Sequence, residues 1–208
     1  MTPVRANFLP DPALQAMRGP IQDYLSKIAL QITPANFASL CDQTALVLLK
    51  DSFRHIGADE GSIWIIDTEH KNLVVAYNSG DQREEILGHK QVLSEGFVSM
   101  VAATEQPIIE NRVYRNAQHS PQLDRKLGFT TYAMMIVPLY FARQLRGVIS
   151  CVQLVKTRLE RDQDPPEDRR PAGFVPADLA VLRATAIVVG HMVDYTLVCT
   201  ATGLRRPS

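Results

Sequence analysis

A surplus of positive charge is the first thing this chain lacks: 22 lysines and arginines face 22 aspartates and glutamates across 208 residues. A nucleic-acid footprint or a polybasic membrane contact needs excess cations, so neither partner is expected. Cysteine is scarce as well. Cys41, Cys151 and Cys199 are odd in number and far apart. They form neither a disulfide framework nor a C-x-x-C metal pair, and a reducing compartment is the expectation. Uncharged apolar runs of about eighteen residues are missing, and Met1–Pro12 has no signal-peptide core. The reading is therefore a soluble, cytoplasmic protein. His55, His70, His89, His119 and His191 are scattered without ligand-like spacing, so no metal site is predicted. P-loop and Rossmann glycine patterns are absent, and so is a G-x-S-x-G elbow, which leaves no catalytic residue to nominate.

What is present is enough apolar residue, 46%, to bury one sizeable core in one domain with extra terminal elements. The stretch Leu127–Val155 organises the rest. Thr130–Phe141 and Arg146–Val155 read as strands rich in β-branched and aromatic residues, joined at Ala142-Arg143-Gln144. Neither run alternates cleanly, which predicts a central hairpin covered on both faces. Before it, Met1–Arg18 reads as an arm and Gly19-Pro20 as the start of a helix with an Ile21, Leu25, Ile28, Ile32 stripe. Thr33-Pro34 opens a second helix reaching Phe53. Residues 62–67 and 72–77 predict a hairpin, 86–93 a weaker strand, 97–104 a helix, and a short helix follows Pro121.

Residues 156–173 are charged, hold three prolines and read as a mobile loop. From Pro176 a long helix runs to about Cys199. Leu182, Ala186, Val189 and Val193 share one stripe, and Val181, Ile187 and Val188 form a second. The expected fold class is α+β, a central antiparallel sheet of five to six strands with long terminal helices on one face and short helices and loops forming a pocket on the other. The expected partition is an arm and signalling helix over 1–35, the domain over 36–200 and a tail over 201–208.

In that order of elements the sequence resembles a GAF domain, the small-molecule-sensing module of cyclic-nucleotide phosphodiesterases and bacterial regulators. S-E-G-F at 94–97 and V-A-A-T-E-Q-P-I at 101–108 look like the family's G-x-x-G-x-V-A-x-T-G-x-P segment, with Ser99 and Glu105 in place of two glycines. D-R-K-L-G-F-T-T at 124–131, Y-A-M-M-I-V-P-L at 132–139 and G-V-I-S-C-V-Q-L-V at 147–155 continue the likeness, which spans about Asn36 to Cys199. The family's N-K…F-x-x-x-D-E cyclic-nucleotide signature is incomplete. Phe174 and Asp178 are in place, but Lys156-Thr157 stands for Asn-Lys and Leu179 for the glutamate.

The resemblance implies a ligand pocket bordered by Phe97, Val98, Ser120, Asp124, Thr131 and Gln153. It also implies a small-molecule effector, with the ligand and any cofactor unidentified. The two-faced helix 176–199 and the striped helix 20–32 add the expectation of a homodimer built on the terminal helices, with Val189 and Val193 at its seam. Because residues two apart on a strand share a face, Cys151 is expected to point wherever Gln153 points. That raises two alternatives to a sensor: a thiol-dependent methionine sulfoxide reductase, and a fold used only for protein–protein contact with its pocket filled by Phe97, Phe129, Met134 and Met135.

Overall fold

The computed structural model describes residues 12–203. The arm expected over residues 1–18 falls outside the described residues up to Asp11, and so do residues 204–208 of the tail. Helix α1 (Pro12–Ala29) begins earlier than Pro20, which lies inside it on the exposed side and costs one backbone hydrogen bond there. The second expected helix is two. A short α2 (Pro34–Phe37), capped by Thr33, runs into a 3₁₀ turn, and α3 (Gln43–His55) starts afresh because Asp42 Oδ1 accepts the Ala45 N–H at 2.8 Å.

Six antiparallel strands follow: β1 (Glu60–Ile66), β2 (Asn72–Asn78), β3 (Lys90–Val92), β4 (Ile108–Glu110), β5 (Thr130–Phe141) and β6 (Gln144–Val155). Their spatial order is β3-β2-β1-β6-β5-β4, with the β5–β6 hairpin central as the sequence implied. Helices α4 (Arg83–Ile86), α5 (Gly96–Thr104) and α6 (Gln122–Leu127) punctuate the crossover between β2 and β5, and α7 (Pro176–Thr202) closes the chain. Residues 86–93 prove mostly non-strand. Ile86 ends α4 as a buried anchor, and only three residues reach the sheet edge.

The two faces of the sheet carry separate cores. Ile149 and Cys151 of β6, with Met135 and Val137 of β5, pack against Leu49 and Phe53 of α3 and Leu182, Ala186, Val189 and Val193 of α7. Ala29 at the end of α1 and Ile32 just beyond it join the same core. Trp64, Val148 and Ile136 face the other way and pack under α5. By length and composition α7 could cross a bilayer, yet its buried stripe lies along this sheet. Val189 and Val193 are 0% exposed inside this core, which removes them from any dimer seam. The outward stripe carries Ile187, Val188 and Tyr195 instead. Helix periodicity finds two apolar stripes; only packing decides which of them the chain covers itself.

The segment 156–173 is tied down rather than free. Thr130 Oγ1 donates to the Thr157 carbonyl (2.9 Å) and accepts the Leu159 N–H (2.8 Å), and the Tyr114 hydroxyl donates to Asp164 (2.8 Å). Asn111 then clamps Phe174 through both its amide N–H (2.9 Å) and its amide oxygen (2.8 Å).

Candidate functional site

The site grows from a break in register. Along β5 the pairs Ala133–Gln153 and Thr131–Leu154 leave Tyr132 as an extra residue, a β-bulge. Residues directly opposite on neighbouring strands share a face. In a regular ladder Thr131 would therefore face the helices, as Ala133 does; the bulge turns it toward the crossover. There it borders a cavity of about 70 Å³ between the sheet and the α4–α6 crossover. Ser62 and Trp64 of β1, Met134 of β5 and Ser150, Val152 and Leu154 of β6 form the floor. Gly96, Phe97 and Val98 at the start of α5 form one wall, and His119, Ser120, Leu123, Asp124 and Leu127 in and before α6 form another. His89 and Gln91 close the far side, and Glu60, Leu127, Phe129 and Leu154 also line a larger outer groove of about 660 Å³.

Five of the six residues singled out from the sequence, Phe97, Val98, Ser120, Asp124 and Thr131, meet at this cavity. Gln153 does not. It lies on the helix face, where its amide N–H donates to the Gly57 carbonyl (3.0 Å) and its amide oxygen accepts the Gly173 N–H (2.8 Å). It is a brace between the end of α3 and the approach to α7. Cys151 follows Gln153 as period two demands, but to the helix face. Its thiol is fully buried, 3.8 Å from the Met135 carbonyl, and burial pushes its pKa strongly up. The expectation that both look into the pocket is thus corrected by the same bulge that puts Thr131 there.

Asp124 is bound on every side. Its Oδ1 accepts the Thr131 hydroxyl at 2.7 Å, and its Oδ2 accepts the Thr131 N–H at 2.9 Å, with His119 Nε2 3.1 Å from Oδ2. Burial works to raise this carboxyl, and the hydrogen bonds from His119 and Thr131 outweigh it, so its pKa falls below the ordinary value. Glu60 behaves oppositely. Burial raises it, the Asn78 side chain opposes, and the carboxylates of Asp59 and Asp81 push it further up. His89 stands edge-on to Trp64 at 6.1 Å between ring centres, and burial, then Lys126, lowers its pKa.

Sequence reading missed Glu60, Ser62, Trp64, His89, Gln91, His119 and Ser150. The Ser62-x-Trp64 alternation and Ser150 two residues before Val152 carry the period-two signal, but that signal does not say which face is which. The signature residues are also settled here: Phe174 is buried in the helix-side core, and Asp178 Oδ2 accepts the Val175 N–H at 2.9 Å as a helix cap. Among the described residues no group of three metal-ligating side chains occurs.

Comparison with known proteins agrees with this geometry. A probable 3′,5′-cyclic phosphodiesterase of Caenorhabditis elegans is 23% identical over 155 residues, 68% of this chain and 21% of that protein. The chain thus spans about a fifth of its length. The GAF domain of a phosphoenolpyruvate-protein phosphotransferase from Coxiella burnetii superposes with a TM-score of 0.59 at 14% identity, covering 94% of this chain and 100% of that one. Free methionine-R-sulfoxide reductase from Neisseria meningitidis, solved with its substrate, gives 0.52 at 16% identity over 94% and 96%. At such identities these structures speak for the fold alone. The family model described as the GAF domain matches residues 42–194, from the cap of α3 through the sheet and its cavity to the last third of α7, and the chain therefore belongs to the GAF domain family, a regulatory and sensory fold.

Proposed function

We propose that this chain is a sensory module in which a small molecule occupies the cavity between sheet and crossover, and that occupancy is passed to a homodimer through the terminal helices. The observation that carries the reading is the cavity itself, whose polar groups converge from five separate segments around one tryptophan. The route outward is short. α6 is bolted to β5 through Asp124 and Thr131, and β5 packs along α7. A ligand that prefers one placement of α6 would bias that stack. The outward apolar stripe of α7, with Ile187 60% and Tyr195 52% exposed, supports pairing of two copies. The phosphodiesterase named above suggests cyclic nucleotides as a ligand class, but the incomplete signature and the capping role of Asp178 speak against it here.

Trp64 is the sole tryptophan and lines the cavity, so its fluorescence reports occupancy directly. Titrating cyclic nucleotides, nucleobases, amino acids and oxoacids should give one class that shifts Trp64 emission and raises the melting temperature together. Silence across the panel sinks the sensor reading in favour of the contact-only fold.

The chain is not proposed to be an enzyme. The thiol reductase alternative needs a cysteine at the cavity, and Cys41, Cys151 and Cys199 are all buried and absent from its lining.

A further inference from the structure

We infer that the molecule taken by this cavity is an uncharged, single planar ring presenting a carbonyl on one edge and an N–H on another, and not a phosphate-bearing nucleotide; the inference rests on the sensor reading above. The first argument is charge. The lining holds two carboxylates, Glu60 and Asp124, and neither lysine nor arginine. Its histidines offer no replacement: His119 is engaged with Asp124, and burial disfavours the charged form of His89. A phosphate brought here would lose its water and face carboxylates with no cation to meet it. The outer groove offers no net attraction either, because its Lys50, Arg54 and Lys156 are matched by Asp59, Glu60 and Asp81.

The second argument is unspent hydrogen bonding among groups less than a tenth exposed. Ser62 and Ser150 face each other across β1 and β6. Ser62 Oγ accepts from the Asn78 amide at 3.0 Å and Ser150 Oγ accepts from the Trp64 indole N–H at 2.9 Å. Each hydroxyl hydrogen is left without an acceptor among the described residues, so the floor offers two donors. Gln91 uses its amide N–H on the Glu95 carbonyl at 3.1 Å, which leaves its amide oxygen as an acceptor on the far side. Buried polar groups in folded proteins are almost always paired. Two donors on the floor and an acceptor on the far side are complemented by a ring with a carbonyl on one edge and an N–H on another.

The third argument is shape. Trp64 and Phe97 supply aromatic surfaces for a flat ring. A volume of about 70 Å³ suits a single ring far better than the pockets of roughly 300–1,000 Å³ that hold larger ligands.

The test is a Trp64 fluorescence titration of the whole chain with uracil, with cyclic AMP and cyclic GMP alongside, on the native protein and on Ser62→Ala, with circular dichroism to confirm folding. Uracil should shift the emission, the cyclic nucleotides should not, and Ser62→Ala should weaken uracil by about tenfold. Ser62→Ala is chosen because Ser150→Ala would orphan the Trp64 indole and confuse reporter with ligand. Cyclic nucleotides shifting Trp64 while uracil does not would overturn the ligand class and leave the sensor reading standing. Uracil bound equally by Ser62→Ala would overturn the hydroxyl assignment. No response to uracil, the cyclic nucleotides or the wider panel would overturn both this inference and the sensor reading.

Discussion

Asp124 accepts two hydrogen bonds from one residue, Thr131, and stands 3.1 Å from His119. A buried carboxylate so engaged is costly to alter, and Asp124→Asn should destabilise by about 2–3 kcal/mol at neutral pH, read from urea unfolding. The pH dependence has a definite sign. The folded value is held below the ordinary 3.8, so the contribution is present above that value and disappears as pH falls through the folded one. The gap in melting temperature between native protein and Asp124→Asn should narrow as pH falls below the ordinary value of 3.8. A gap that stays unchanged as pH falls below 3.8 would show that the stabilisation is not that of the charged form. The thiols offer a second check. All three are buried, with Cys41 pushed up to about 12 by burial and then by Asp42. The native protein should resist alkylating reagents at pH 8, and all three should react in denaturant. Fast modification of Cys151 in the native state would reopen the reductase alternative.

At the scale of elements the β5–β6 hairpin turns on Ala142 and Arg143, both left-handed at φ 48° and 61°. Turns of this hand suit hairpins but usually use asparagine or glycine. Here Asp194 of α7 compensates by accepting the Ala142 N–H at 2.6 Å, which docks the turn on the helix. Arg143→Gly should relieve left-handed strain and stabilise by about 0.5–1 kcal/mol, a rise of a few degrees in melting temperature. An unchanged or lower melting temperature would mean that the turn is not strained. Gln153 is the corresponding brace at the other end of β6. Gln153→Ala orphans the Gly57 carbonyl and the Gly173 N–H, and it should cost about 2 kcal/mol while leaving affinity for any cavity ligand unchanged. A loss of affinity without loss of stability would return Gln153 to the pocket.

For the molecule as a whole the open question is the outward stripe of α7. Ile187→Glu together with Tyr195→Glu should leave a folded monomer by light scattering, because both side chains are more than half exposed. A native protein that is already monomeric would remove the proposed pairing, and a dimeric mass kept by the variant would move its interface elsewhere. Val189→Glu is the wrong experiment: it drives a charge into a 0% exposed position of the sheet core, and unfolding would follow whatever the assembly.

The sequence by itself determined a good deal of this protein. The hydrophobic runs of β5 and β6, the proline-started helix from Pro176 and the ordered motifs between them are local signals. Local periodicity and family likeness together were enough for an α+β sheet with helices on one face and a crossover on the other. They also brought Phe97, Val98, Ser120, Asp124 and Thr131 to one cavity. What tertiary structure alone decided is which way each strand faces. A period of two names two sets of residues and not their destinations. The single extra residue at Tyr132 sent Thr131 to the cavity while Gln153 and Cys151 went to the helices. Likewise α7 shows two apolar stripes in sequence, and only the sheet beneath it chose Val189 and Val193 for the core and left Ile187 and Tyr195 outside.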